Sequence, residues 1–81
     1  MYYVYVIANE HNDTYIGYTG NLEERLKKHK TNGSTKGHEW HYVYYEAFKD
    51  KRDAVLREQR LKSHGQSIRQ LKVRIKHSLQ K

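Results

Sequence analysis

Cysteine is absent from this 81-residue chain, so no disulfide and no thiolate metal site is available, and any metal must sit on oxygen or imidazole. Long apolar runs are absent as well. The longest is Tyr2 to Ala8, tyrosines counted, against the roughly 20 residues that a membrane-spanning helix needs. The start Met-Tyr-Tyr-Val lacks the basic n-region of a secretory signal. Acidic residues are scarce, with 9 Asp and Glu against 16 Lys and Arg, a formal net charge of +7. These absences point to a soluble, cytoplasmic protein, and the length points to a single domain over residues 1–81.

The positive charge is unevenly placed. Residues 1–48 carry five basic and six acidic side chains, whereas residues 49–81 carry eleven basic and three acidic ones. A basic half on a small domain suggests a polyanionic partner, most often nucleic acid, although a solvated Lys/Arg face is the plainer alternative. Eight tyrosines are present. Tyrosine serves equally as core, as stacking platform and as catalyst, so their number by itself decides nothing.

Local patterns predict an α+β fold in the order β-β-α-β-α-α. Tyr2 to Ala8 is rich in aromatic and β-branched residues and reads as a strand. The polar turn Asn9 to Asp13 leads to a second strand, Thr14 to Tyr18, so the two form a hairpin. Alternation puts Tyr3, Tyr5 and Ile7 on one face of the first strand, and Tyr15 and Gly17 on one face of the second. A glycine in mid-strand is costly and marks a bulge or a close approach to the backbone. Asn21 followed by Glu24 resembles an N-cap with its capping-box partner, opening a helix from about Leu22 to Lys30. The segment Thr31 to His38 reads as a loop and His41 to Phe48 as a third strand. A helix then runs from about Asp50 to Ser63 with Gly65 as its stop signal, and a last helix from about Ser67 to Leu79 carries Ile68, Leu71, Ile75 and Leu79 at helical spacing.

Three side chains stand out against these patterns. Ala54, Val55 and Leu61 form the inward stripe of the Asp50–Ser63 helix, and Glu58 falls among them. An inward carboxylate costs several kcal/mol unless it is paired or holds a metal. Arg57, Arg60 and Lys62 are its possible partners, and metal binding or acid–base work is the functional alternative. His29 lies on the Leu22–Leu26 stripe with Arg25 one turn before it. An inward histidine is more commonly a satisfied core residue than a catalyst. Together, however, tyrosines, an arginine, a histidine and a carboxylate are the parts that phosphodiester cleavage requires. A carboxylate holds Mg²⁺ or Mn²⁺, a guanidinium stabilises charge growing on phosphorus, and a base takes a proton from water.

These residues resemble the GIY-YIG nuclease superfamily, and within it small stand-alone bacterial domains. Tyr3-Val4-Tyr5 corresponds to the first motif, and Tyr15-Ile16-Gly17 is the second motif in full, ten residues from Tyr5 to Tyr15. The segment Tyr18 to His29 is similar to the family's arginine-bearing helix, and Ala54 to Lys62 to the segment carrying its glutamate. The resemblance extends over about Tyr2 to Leu79. It implies a three-stranded antiparallel sheet packed with helices, and metal-dependent hydrolysis of a nucleic-acid phosphodiester, most naturally DNA. By that resemblance Glu58 holds a single divalent ion, Mg²⁺ or Mn²⁺, and Arg25 steadies the phosphate. Tyr5 and Tyr15 position or deprotonate water, and His29 is an auxiliary phosphate contact or proton carrier. The chain departs from the family pattern in three places. Tyr3 replaces the first glycine, Tyr18 stands where repair-type members often carry lysine, and no asparagine follows Asn32, leaving Gln59, Gln66 or Ser67 as substitutes.

Lys27, Lys28 and Lys36 lie near the suggested site in sequence and are candidate phosphate contacts. Trp40 and Tyr42 to Tyr45 could stack on bases or pack the sheet. His38-x-x-His41 has the spacing of half a zinc site but no evident partners, and reads as the flank of a loop. Two functions therefore stand side by side: an endonuclease or nickase, and a nucleic-acid-binding module on the same fold that does not cut.

Overall fold

The computed structural model describes residues 1–31 and 37–79. In chain order these form β1 (Tyr2–Ala8), β2 (Thr14–Thr19), α1 (Leu22–Thr31), β3 (His41–Phe48), α2 (Lys51–Ser63) and α3 (Gly65–Arg74). The strands make one antiparallel sheet in the order β2-β1-β3. Fold class and element order are those read from the sequence. Among the described residues no helix is long and apolar enough to cross a membrane.

The central strand β1 is paired on both edges and covered on both faces, by α2 and α3 on one side and α1 on the other, so Val4 through Ala8 are all buried. That explains why it reads as a nearly continuous apolar run rather than a clean alternation. Val4 and Val6 point into a core completed by Ala54 and Leu61 of α2 and by Leu71 and Ile75. Tyr5 and Ile7 point the other way, into a smaller cluster with Trp40, Tyr15, Tyr42 and the α1 residues Leu22 and Leu26. The sheet thus separates a helix-backed apolar core from an aromatic face covered by α1. On β3 a register shift opposite Val6 and Ile7 pairs Val6 with Tyr44 and Ile7 with Tyr42. The extra residue, Val43, sends Tyr44 to the apolar core and Tyr42 to the aromatic face, although strict alternation would have put both on one face.

The helix ends show where the chain follows its local signals and where it does not. Asn21 caps α1 as anticipated, its Oδ1 accepting Glu24 N–H at 3.1 Å. The reciprocal half of the capping box is absent: Thr19 Oγ1 accepts the Asn21 N–H at 3.1 Å, and Glu24 instead lies 3.8 Å from Lys28. Asn21→Ala is expected to cost about 1 kcal/mol, a loss of roughly 4–8 °C in Tm, readable by far-UV circular dichroism. Asp50 caps α2, accepting Arg52 N–H at 2.8 Å. Gly65 does not stop α2 as expected. The helix closes at Ser63, His64 alone leaves the helical region with φ −114° while its N–H still bonds Arg60 O, and Gly65 opens α3. The last helix accordingly starts two residues before the expected Ser67 and ends at Arg74 rather than Leu79. At Ile75 the backbone leaves the helical region and continues as turns, with Lys76 N–H on Val73 O and Leu79 N–H on Ile75 O. Those turns preserve nearly the helical spacing, so Ile75 and Leu79 still reach the core and periodicity could not mark the end.

Candidate active site

The aromatic face is organised around the Tyr5 hydroxyl. Tyr5 has no exposed surface, and its ring meets Tyr42 edge-on with centroids 5.5 Å apart. Directly across the ladder lies Gly17, whose missing side chain leaves room for the phenol: a Cβ there would lie 2.4 Å from the Tyr5 oxygen. The close approach anticipated from a mid-strand glycine is therefore that of Tyr5 itself.

Helix α1 supplies the polar partners from one face, a turn apart. Arg25 Nε–H donates to the Tyr5 oxygen at 3.0 Å, and His29 Nε2 lies 2.7 Å from the same oxygen. Since the guanidinium can only donate, the phenol proton is directed at His29, whose Nε2 accepts it. Burial, and then the charge of Arg25, push the His29 pKa below its ordinary value, which keeps that nitrogen unprotonated. Burial raises the Tyr5 pKa, against the opposing hydrogen bond and charge of Arg25. Arg25 in turn has its pKa raised chiefly by the Tyr5 hydrogen bond, with the neighbouring Tyr15 acting in the same direction. Tyr15 is half-buried, its ring 4.7 Å from that of His29. Tyr42 secures the start of α1 by donating its hydroxyl to the Leu22 carbonyl, and burial pushes its pKa up to about 12.

His29 makes stability pH-dependent in a definite direction. With its folded pKa below the unfolded value of about 6.5, stability is complete above that pH and falls as pH drops toward the folded value. Tm is expected to fall between about pH 7.5 and pH 5.5, and His29→Gln, which keeps an acceptor but does not titrate, is expected to flatten part of that slope.

Helix α2 brings the carboxylate. Glu58 is only 17% exposed, and Lys62 Nζ lies 3.6 Å from its Oε2. Of the three partners suggested by sequence, Lys62 is the one that pairs with it; Arg57 turns to Glu46 of β3 at 2.9 Å. The Lys62 ammonium also lies 5.5 Å from the centroid of the Tyr15 ring, which carries α2 to the tyrosine cluster. The charge of Glu58 is felt at Tyr5, where it opposes phenol ionisation.

Tyr5, Tyr15, Arg25, His29 and Gly17 therefore converge, with Glu58 joined to them through Lys62. Lys27 and Lys28 are exposed on α1, Lys28 beside Glu24, and neither is drawn into the cluster. Lys36 lies outside the described residues. Gln59 and Gln66 are exposed, and Ser67 lines a separate cavity with Arg57, Gln70 and Arg74. Sequence reasoning named Lys62 only as a possible partner of Glu58, not as a neighbour of Tyr15. Tyr42 carried no signal for its place here, because only the β3 bulge turns it to this face.

The family model of the GIY-YIG catalytic domain matches residues 1–73, which include every residue of this cluster. A UPF0213 protein of Clostridium perfringens (strain 13 / Type A) is 36% identical over 66 residues, covering 76% of this chain and 71% of the relative. No solved structure gives a significant match.

Proposed function

The chain belongs to the GIY-YIG family of nucleases, and from that premise we propose that it is a divalent-metal-dependent endonuclease or nickase that hydrolyses DNA phosphodiester bonds. The observation that supports this reading most is the convergence of a fixed guanidinium, two tyrosines and a half-buried carboxylate drawn from four elements. Arg25 is the centre of the proposal. A guanidinium carries five N–H donors, so bonding the Tyr5 hydroxyl does not exhaust it, and the planar fork that remains suits phosphate oxygens. Tyr5 and His29 hold that fork in place before substrate arrives, and preorganised charge of this kind stabilises a transition state. Tyr5, having no exposed surface, is a positioning residue. Tyr15 is half-exposed, and we assign it the task of orienting the attacking water.

Glu58 is the residue that would hold the metal. The donors here are oxygens, which suit Mg²⁺ or Mn²⁺. The ammonium of Lys62 already places one positive charge 3.6 Å from the carboxylate, and Lys62 is 48% exposed and free to withdraw. A divalent ion on this carboxylate supplies Lewis-acid neutralisation of phosphate charge and acidifies water. The basic residues 49–81 provide attraction for a polyanion without entering the chemistry.

Incubation of supercoiled plasmid, branched DNA and single strands with Mg²⁺ or Mn²⁺ tests the reading. Nicked or linear product is expected, abolished by EDTA and absent with Glu58→Gln. Salt-sensitive binding without cleavage of any substrate by either metal would leave a nucleic-acid-binding module in its place.

A further inference from the structure

We propose that Glu10, His11 and His38 form a second metal site, one for a zinc-type transition-metal ion, at the sheet end marked by Ala8. The register brings the three together. Ala8 is paired with Thr14 on one side and with His41 on the other, so the β1–β2 turn and the chain entering β3 emerge side by side. Glu10 and His11 follow Ala8 directly, and His38 precedes His41 by three residues. Glu10, 28 residues upstream, thus becomes a partner of His38.

The turn presenting two of the ligands is itself well held. Asn9 is 2% exposed, and its Oδ1 accepts the N–H groups of His11 at 2.9 Å and Asp13 at 3.0 Å. Glu10 is oriented at both oxygens: Oε1 lies 2.8 Å from His38 Nδ1, and Oε2 accepts the Glu39 N–H at 3.0 Å. The His11 and His38 rings stand edge to face with centroids 5.9 Å apart. One donor atom from each of the three residues lies within 4.8 Å of the other two. Tetrahedral ligands at bonds of about 2.0–2.1 Å sit roughly 3.3 Å apart, so modest rotations of exposed side chains close the triangle.

The donor set selects the class of ion. Two imidazoles and one carboxylate with an open fourth position suit zinc, nickel or copper, whereas Mg²⁺ seeks oxygen ligands in octahedral geometry. Glu10 and His38 also line a cavity of about 650 Å³ together with Lys30 and Trp40, which leaves that fourth position accessible to water or a small anion. The site is separate from Glu58 and does not depend on the proposed nuclease reading. An ion here clips the hairpin turn to the segment leading into β3, so it is expected to raise Tm.

Trp40 provides the readout. It is the single tryptophan of the chain, and its ring lies 6.2 Å from that of His38. In the untagged 81-residue chain, Ni²⁺ is expected to quench Trp40 fluorescence saturably with one-to-one stoichiometry. Zn²⁺ should displace it, EDTA should reverse it, and excess Mg²⁺ should do nothing. Affinity is expected to fall at least about 10-fold in each of His11→Ala, His38→Ala and Glu10→Gln, and to be unchanged in His77→Ala. Zn²⁺ should raise Tm in the wild type and not in His11→Ala, a variant that leaves the His38–Trp40 contact intact. Quenching that does not saturate, or that survives in either His11→Ala or His38→Ala, overturns the site.

Discussion

Glu58→Gln is expected to reduce metal-dependent cleavage by on the order of 10²–10³-fold, the scale seen when one preorganised electrostatic contact to a transition state is lost. The substitution keeps the shape of the side chain and removes its charge, so it separates chemistry from packing. Stability should barely change. The ion pair with Lys62 is a helix i,i+4 contact with one largely exposed partner, and such pairs contribute about 0.3–0.5 kcal/mol. Against that small loss, a neutral amide on the apolar stripe of α2 is cheaper to desolvate than a carboxylate. DNA binding should also persist with its salt dependence intact, because the basic residues that attract phosphate are untouched. Tm, a binding isotherm at two salt concentrations and a plasmid-nicking time course therefore give three readings, of which only the last should collapse. Wild-type cleavage rates in this variant would remove Glu58 from the mechanism, and a collapse of Tm would make the residue structural.

Gly17→Ala is expected to harm fold and site together. The new methyl would meet the Tyr5 oxygen at 2.4 Å, its Cζ at 2.7 Å and its Cε2 at 3.1 Å. A flexible side-chain end elsewhere would swing away, but Tyr5 has nowhere to go. It is without exposed surface, its ring packs on Tyr42, and its hydroxyl is held by both Arg25 and His29. Overpacking of a closed site costs about 1–3 kcal/mol, which corresponds to a Tm loss of roughly 4–24 °C at about 4–8 °C per kcal/mol. Displacing the phenol also releases Arg25 Nε, so cleavage should fall more than the folded fraction does. Tyr5→Phe in the same background sharpens the test. It removes the contact at the oxygen and leaves the one at Cζ, so it should restore only part of the lost Tm. A Tm within about 2 °C of wild type for Gly17→Ala would show that the ring is seated loosely after all.

Features set by neighbours in the chain are legible in the sequence. The Tyr2–Ala8 strand, the Asn21 cap and the inward direction of Glu58 all follow from spacings of two to four residues, and all are present. Local features failed where two solutions share one spacing. Thr19 displaced Glu24 from the Asn21 N–H because it reached the same donor from the preceding strand. The turns after Arg74 kept nearly the helical repeat, so the end of α3 left no trace in the pattern.

By itself, then, the sequence determined the order of the elements, the faces that carry Tyr5, Tyr15 and Glu58, and the pairing of Arg25 with His29 one turn apart on α1. These depend on the pitch of a helix and the pleat of a strand, which every residue obeys locally. The tertiary structure alone decided that Gly17 faces the Tyr5 ring, that the bulge at Val43 turns Tyr42 toward it, that Lys62 bridges Glu58 to Tyr15, and that His38 finds Glu10 and His11. Each of these depends on the register between strands or on the seating of a helix against the sheet. Register is set by the summed packing of two faces of β1 at once, a quantity no window of neighbouring residues contains.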